Sequence, residues 1–218
     1  YVSGGCQENV LQNTEINSRA TLYLNLLQVF RAGLIPDTRT FFSKQEDISL
    51  ATLDTCTSFE TFYQTFLQNL KLVIDCLIDR RNSFEKEGWR WNPCPLHSST
   101  ISDCIENAMD MMEGGARYSF GSLSLIGVGT LIDSLFAVKK TVFDDRQIPM
   151  QQMKDMLASD FEGEERCRLF LANRVPKYGQ ENDEISAFSD RVFADLASVS
   201  AGKENSRGGT YEASLFAY

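Results

Sequence analysis

Apolar residues recur along much of the chain at the three-to-four-residue spacing of helices with one buried face. Between Glu15 and Phe30, the residues Ile16, Leu22, Leu26, Leu27 and Phe30 keep near-helical spacing. Gly33 and Pro36 follow as stop signals, so a helix is expected there. The strongest pattern begins at Thr57, where Glu60 three residues on has the form of a capping box. Phe59, Phe62, Phe66, Leu70, Val73, Ile74, Leu77 and Ile78 then hold one stripe to about Phe84. Further helices are expected at Ile101 to Met112 closed by Gly114, at Thr130 to Lys140, at Met150 to Phe161, at Glu164 to Asn173 ahead of Pro176, and at Asp183 to Ser198. Tyr118 to Leu125 and Thr210 to Tyr218 are short and either strand-compatible or ambiguous in pattern. Helices interleaved with such glycine-punctuated pieces suit an α/β layer or barrel better than a pure bundle. The chain starts in a glycine-containing loop and stops within the apolar run Ser214 to Tyr218, and no internal repeat or low-complexity linker is visible. The 218 residues are therefore expected to be one segment of a larger domain.

Composition removes several classes of function. With 43% hydrophobic and 23% charged residues the balance is that of an ordinary globular protein, so disorder is not the default. The net charge of −9 leaves no global basic field to gather nucleic acid or an anionic membrane surface. Leu67 to Ile78 is interrupted by Gln68, Asn69, Lys71 and Asp75, far short of the roughly 20 apolar residues of a membrane span. Tyr1 to Val10 has neither the basic start nor the apolar run of a signal peptide, and a cytoplasmic location is expected. Cys6, Cys56, Cys76, Cys94, Cys104 and Cys167 form no Cys-x-x-Cys pair and His97 has no second histidine, so no local metal clip is predicted. Reduced structural thiols are the expectation for five of the six cysteines.

Cys6 stands apart. In Ser3-Gly-Gly-Cys-Gln-Glu8 a thiol follows two glycines and precedes a carboxylate by two residues. In an extended loop, residues two apart project to one side, so Cys6 and Glu8 could face one substrate together. Alone, the pattern is weak and more often marks a structural loop. Downstream come Asn92-Pro-Cys-Pro-Leu96, Gly114-Gly-Ala-Arg-Tyr118 and Gly127-Val-Gly-Thr-Leu-Ile-Asp-Ser-Leu135. Val175-Pro-Lys-Tyr-Gly179, the acidic stretch Glu181 to Glu184 and Asn205-Ser-Arg-Gly-Gly-Thr210 complete the order. In this order and spacing, over nearly the whole chain, these signatures resemble glycyl radical enzymes of the pyruvate formate-lyase superfamily.

The resemblance implies an α/β fold in which residues 1–218 are a helix-rich part of the second half of a glycyl-radical-enzyme α/β barrel, with the C-terminal glycyl radical domain absent. It implies that Cys6 matches the cysteine that becomes a thiyl radical and removes a hydrogen atom from a substrate carbon. Glu8 matches the general base that deprotonates the substrate hydroxyl in members that eliminate a neighbouring group. It also implies no bound cofactor, a glycyl radical installed by a radical S-adenosylmethionine activating enzyme, and a homodimer when complete. No segment of the Arg-Val-x-Gly type that carries that radical is present, so the chain alone is expected to be catalytically incomplete.

Three departures bear on the subfamily. Gly5 stands beside Cys6 where pyruvate formate-lyase has a second cysteine, which disfavours acyl transfer to coenzyme A. Gln7 replaces a common valine, and Ala20 stands near the aspartate that holds small polyols or choline in other members. Tyr23 matches an aromatic that close relatives place in the substrate site. The expected activity is radical elimination (dehydration, C–N or C–S cleavage) on a small hydroxylated substrate. The alternatives are an arylacetate decarboxylase, a formate C-acetyltransferase-like enzyme or a non-catalytic fragment that keeps the fold.

The remaining candidates read as structural. Gly127-Val-Gly129 opens like a dinucleotide fingerprint, but Ile132 occupies the third glycine position and no strand-turn-helix with a distal acid is evident. His97 reads as a hydrogen-bonded structural histidine. Arg117 and Arg207 among glycines tie loops together, and Met109, Met111 and Met112 fill core.

Overall fold

The computed structural model describes residues 2–3, 9–35 and 48–216. The first expected helix is instead a strand followed by a helix: β3 spans Glu15–Asn25 and α1 spans Leu26–Leu34. Two short strands precede them, β1 at Val2–Ser3 and β2 at Asn9–Val10. Burial alternates at the end of β3, with Leu22 half-buried, Tyr23 exposed, Leu24 buried and Asn25 exposed, which is the period of a strand. Asn25 then stops the strand by capping the helix, its side chain accepting from the Leu27 amide at 3.0 Å.

The long helix α2 runs Phe59–Trp91, about two turns beyond the expected end. Its cap is Ser58, whose hydroxyl accepts from the Thr61 amide at 3.2 Å. The expected box of Thr57 and Glu60 does not form, because Glu60 is drawn away to Arg191 at 2.6 Å and Gln64 at 3.0 Å. Ile101 to Met112 is also not one helix. After α3 (Pro95–Ser98) and α4 (Ser102–Glu106) the chain turns, with Ala108 at positive φ. Asp110 organises that turn by accepting from the Cys94 amide at 2.8 Å, the Ser98 hydroxyl at 3.0 Å and the Met112 amide at 2.8 Å.

Strand β4 (Tyr118–Ile126) and helix α5 (Val128–Val138) are joined by Gly127 in the left-handed conformation. A strand-turn-helix is thus present at Gly127. The wider fingerprint is still unmet, since Ile132 at the third glycine position is fully buried. A π-helical turn, Lys139–Asp144, continues from α5. Then follow α6 (Met150–Ala158), α7 (Glu165–Asn173), α8 (Asp183–Ser200) and β5 (Tyr211–Phe216), close to the expected ranges.

Strands β3, β4 and β5 form one sheet in that order. The sheet is parallel, as the α/β class requires for strands separated by helical crossovers. Its register follows from three contacts. The Tyr118 amide donates to the Thr14 carbonyl at 3.2 Å, the Gly121 amide donates to the Thr210 carbonyl at 2.8 Å, and the hydroxyls of Ser124 and Ser214 meet at 2.9 Å.

The described residues fall into two compact units. One comprises Tyr1–Leu24, Ile74–Leu125 and Ser200–Leu215. In it, Ile16, Ile101, Cys104, Met111 and Ala116 make a core against which Met112 packs, while Met109 is 38% exposed. The Tyr211 ring lies across Gly121, where an added Cβ would come within 2.5 Å of it. Glu85 and Arg207 pair at 2.6 Å with side chains 1% and 2% exposed. Asn205 shapes the loop carrying Arg207: its amide donates to the Ser119 carbonyl at 2.7 Å, and its oxygen accepts from the amides of Arg207 at 2.9 Å and Gly209 at 3.0 Å.

The other unit comprises Asn25–Val73, Ile126–Val199 and Phe216–Tyr218. Its centre is aromatic: Phe59, Phe62, Tyr63 and Phe188 meet at ring distances of 5.8 to 6.2 Å. Buried Asn69 clips the incoming chain, donating to the Ala51 carbonyl at 2.9 Å and accepting from its amide at 2.8 Å. The Tyr63 hydroxyl donates to Asp195 at 2.8 Å while the Arg191 guanidinium covers its ring.

Replacing Glu85 by alanine leaves Arg207 charged and buried, and the expected loss is about 3–5 kcal/mol. Urea denaturation measures it, and a loss under about 1 kcal/mol would show that water substitutes for the pair. Gly209→Ala is expected to be at least as damaging as an ordinary core substitution, because the new Cβ would sit 1.7 Å from the Ser119 carbonyl oxygen.

Candidate active site

The sheet has two unlike faces. In a parallel pair, the residue whose amide bonds to carbonyl j lies opposite residue j+1, and opposed side chains share a face. Tyr118 therefore stands opposite Glu15, Gly121 opposite Tyr211 and Ser124 opposite Ser214. On one face Ile16 and Leu24 of β3, Ser119, Gly121, Leu123 and Leu125 of β4, and Tyr211 of β5 are buried. That face meets α2, since the Tyr211 hydroxyl donates to Asn82 at 3.2 Å and Arg207 bridges Glu85 to the Ser119 hydroxyl.

The opposite face carries Tyr23, 64% exposed, with Tyr118, Phe120, Ser122, Ser124, Glu212 and Ser214. In an α/β barrel the helices lie outside, so the face turned away from them is the inner one. Tyr23 is thus on the face turned away from α2. The hydroxyls of Ser122, Ser124 and Ser214 form a chain on the same face, Ser214 reaching Ser124 at 2.9 Å and Ser122 at 3.5 Å. The sequence reading passed over these serines. Their signal was the two-residue spacing of Ser122 and Ser124 within a strand-compatible run.

Cys6 and Glu8 lie outside the described residues, as does the side chain of Ala20. Residues 4–8 are bracketed by β1 and β2, which pair antiparallel through Val2 with Val10 and Ser3 with Asn9. Among the other candidates, Arg117 pairs with Asp103 at 3.0 Å and Arg207 with Glu85, both structural as expected. His97 is exposed, and its residue is bonded through the backbone carbonyl, which accepts from the Thr100 amide and hydroxyl, so the expected anchored imidazole is corrected. Burial, with Asp110 and Asp103 beside it, pushes the Cys104 thiol up, so this cysteine is held in its unreactive protonated form. Among the described residues, no group of three or more His, Cys, Asp or Glu side chains is placed to hold a metal ion.

In the second unit a groove of about 720 Å³ is lined by residues of α1, α5, α6 and α7 together with Lys177. Arg31, Asp133, Asp160 and Arg168 also line it, and Lys177 has its amine pushed down by burial and donates to the Leu171 carbonyl at 2.7 Å. That bond ties Lys177 to the C-terminal part of α7.

The model of the pyruvate formate lyase-like family matches residues 1–218. The chain belongs to that family. This pyruvate formate lyase-like chain is 30% identical over 195 residues to the trans-4-hydroxy-L-proline dehydratase of Clostridioides difficile, covering 89% of this chain and 25% of the relative. It is 26% identical over 210 residues to the isethionate sulfite-lyase of Bilophila wadsworthia, covering 94% and 25%. In three dimensions it is similar to the hydroxyproline dehydratase of Clostridioides difficile with its substrate bound, at a TM-score of 0.76 and 27% identity, covering 90% of this chain and 26% of that one. The glycerol-bound glycerol dehydratase of Clostridium butyricum also gives 0.76, at 25% identity, covering 88% and 24%. The pyruvate formate lyase-like chain therefore spans about a quarter of the length of the relatives it matches. They are glycyl radical dehydratases and lyases, and their barrels carry the α/β fold expected from the sequence. No described helix is long and apolar enough to cross a membrane.

Burial, and after it the charge of Glu85, push the Tyr211 phenol up to about 12. Unfolded tyrosine ionises near 10, so the native state holds this proton more tightly and stability is expected to fall as pH rises from about 10 through 12. Absorbance at the phenolate band should show a titration near pH 12 that is lost in Tyr211→Phe, while Tyr63, pushed higher still by burial and its bond to Asp195, is unaffected. A variant with an unchanged titration curve would place the late group elsewhere.

Proposed function

We propose that the full-length protein is a glycyl radical lyase in which Cys6 abstracts hydrogen and Glu8 is the general base for radical elimination on a small hydroxylated substrate. The observation that carries this reading is the Cys6-Gln-Glu8 pair in a chain that matches the family over its whole length. The dehydratases and sulfite-lyase among its relatives support the reaction class. A glycyl radical, in a segment outside these 218 residues and installed by a radical S-adenosylmethionine activating enzyme, would supply the unpaired electron.

Each residue has a definite task. The Cys6 sulfur takes a hydrogen atom from the carbon bearing the hydroxyl, forming S–H and leaving the unpaired electron on carbon. The S–H and C–H bonds are of comparable strength, so the step is reversible. Glu8 accepts the hydroxyl proton, a contribution of roughly 10²–10⁴-fold for a well-placed base. The resulting ketyl expels its neighbouring group with the bonding pair, the carbonyl forms, and the product radical takes hydrogen back from the Cys6 thiol. Tyr23 lines the substrate site from β3. Exclusion of water by a closed barrel keeps the radical from side reactions. Residues 1–218 form part of one barrel domain in this reading, with the substrate site completed by the rest of the protein and the whole acting as a homodimer.

Cys6→Ser in the activated full-length protein is expected to abolish turnover, and Glu8→Gln to lower kcat by at least 10²-fold while sparing KM. Substantial turnover by the serine variant contradicts the assignment. A fully active Glu8→Gln with a dead Cys6→Ser would indicate chemistry without hydroxyl deprotonation.

Substrate choice follows from Ala20, which offers no acceptor to a diol hydroxyl, at a cost of roughly 1–3 kcal/mol when that hydroxyl is buried. Against glycerol, propane-1,2-diol, choline, trans-4-hydroxy-L-proline, isethionate and 4-hydroxyphenylacetate, neither diol should be the preferred substrate. Faster turnover of a diol than of every other compound would refute the Ala20 argument.

A further inference from the structure

We propose that Ser122, Ser124 and Ser214 form a substrate-positioning hydroxyl chain, which donates a hydrogen bond to a second oxygen of the substrate, distinct from the hydroxyl that Glu8 deprotonates. The proposal rests on the lyase reading above and adds to it the residues that select for a second oxygen function. Three observations carry it.

The first is placement. Register puts Ser122 and Ser124 on the β4 face that also bears exposed Tyr23, and Ser214 directly opposite Ser124 on β5. All belong to one compact unit, and the helices cover the other face of the same sheet. The second is proton count. Three hydroxyls bring three O–H donors. The contacts at 2.9 Å and 3.5 Å use one donor each, so one proton is left over whichever way the chain is oriented. No other described residue bonds these three hydroxyls, and Ser124 is only 2% exposed. In the orientation that leaves the spare proton on Ser124, a group arriving on the open face supplies its partner, because a buried hydroxyl without one is costly.

The third is chemistry. Serine hydroxyls are neutral donors, and a chain of them polarises toward the acceptor at its end. Such an end suits an uncharged hydroxyl or one oxygen of a carboxylate. The substrate class that fits is a small molecule with at least two oxygen functions: one deprotonated by Glu8, the other held from the β4–β5 side. A purely structural cross-strand pair would also place Ser124 against Ser214. That alternative differs in having no effect on substrate affinity.

Kinetics of the activated full-length protein with whichever panel compound it converts fastest tests this. Ser214→Ala is expected to raise KM about tenfold with kcat within about threefold. Ser214→Thr, which keeps the hydroxyl and suits a strand, is expected to restore KM to near the parent value. Ser122→Ala, at a half-buried position, provides a second reading if Ser214→Ala folds poorly, and should raise KM by a smaller factor. An unchanged KM in both alanine variants, with or without a lowered melting temperature, overturns the proposal. So does a threonine variant as impaired as alanine. Cys6→Ser run in parallel separates the levels: its continued turnover would defeat the lyase reading itself, whereas an inactive Cys6→Ser beside unaffected serine variants defeats only the hydroxyl chain.

Discussion

The buried ion pair of Glu85 and Arg207 decides which side of the sheet the helices occupy in the first compact unit. Glu85 comes from the long helix α2, and Arg207 from the loop that enters β5. Arg207 also reaches the Ser119 hydroxyl at 2.8 Å and the Phe120 carbonyl at 3.3 Å on β4, so one guanidinium joins a helix and two strands. The second carboxylate oxygen of Glu85 is taken by Arg81 at 2.6 Å, and Ser206 donates to the first at 2.9 Å. A buried charge pair is tolerable when its remaining lone pairs and protons are satisfied in this way. Its geometric exactness then supplies register, because few other alignments of β4, β5 and α2 satisfy every one of these groups at once.

The sheet is two-sided as a consequence. With α2 fixed to one face, Tyr211 lies flat across Gly121 and the apolar residues of β4 are buried beneath the helix. The other face is left with hydroxyls, a carboxylate and exposed aromatics. A polar inner face and an apolar outer one are what a barrel needs if it is to bind a small polar molecule inside a helical jacket. The loop of Asn205 to Thr210, one of the sequence signatures, is thus part of the scaffold that exposes the inner face.

Much of this was legible in the sequence, and the failures have physical reasons. The strands at Tyr118 and Tyr211 and the helix starting at Asp183 were readable because their patterns are regular and their boundaries carry glycine or acidic signals. The strand Glu15–Asn25 was misread because Ile16, Leu22 and Leu26 satisfy a helical period by chance, while the decisive alternation covers only Leu22 to Asn25. The Asn25 cap was the available clue. Ser58 displaced Thr57 as the cap of α2 because Glu60 found a distant arginine, a contact spanning 131 residues that no local pattern reveals. The same holds for Glu85 and Arg207, 122 residues apart. Of the candidate site, Tyr23 was reached through family resemblance, and Cys6 and Glu8 through a loop pattern sharpened by that resemblance. The serines of the inner face were missed because a serine in a strand is unremarkable until its cross-strand neighbour is known.

The central claim is that one small molecule is held on the inner face of this sheet, within reach of Cys6. A crystal structure of the full-length protein, in its unactivated state and soaked with the compound that it converts fastest, tests this directly. The account predicts the substrate carbon near van der Waals distance from the Cys6 sulfur, its hydroxyl at the Glu8 carboxylate and Tyr23 against its flank. A substrate bound on the helix side of β3, β4 and β5, or in the groove of the second unit with Cys6 remote from it, would contradict the account.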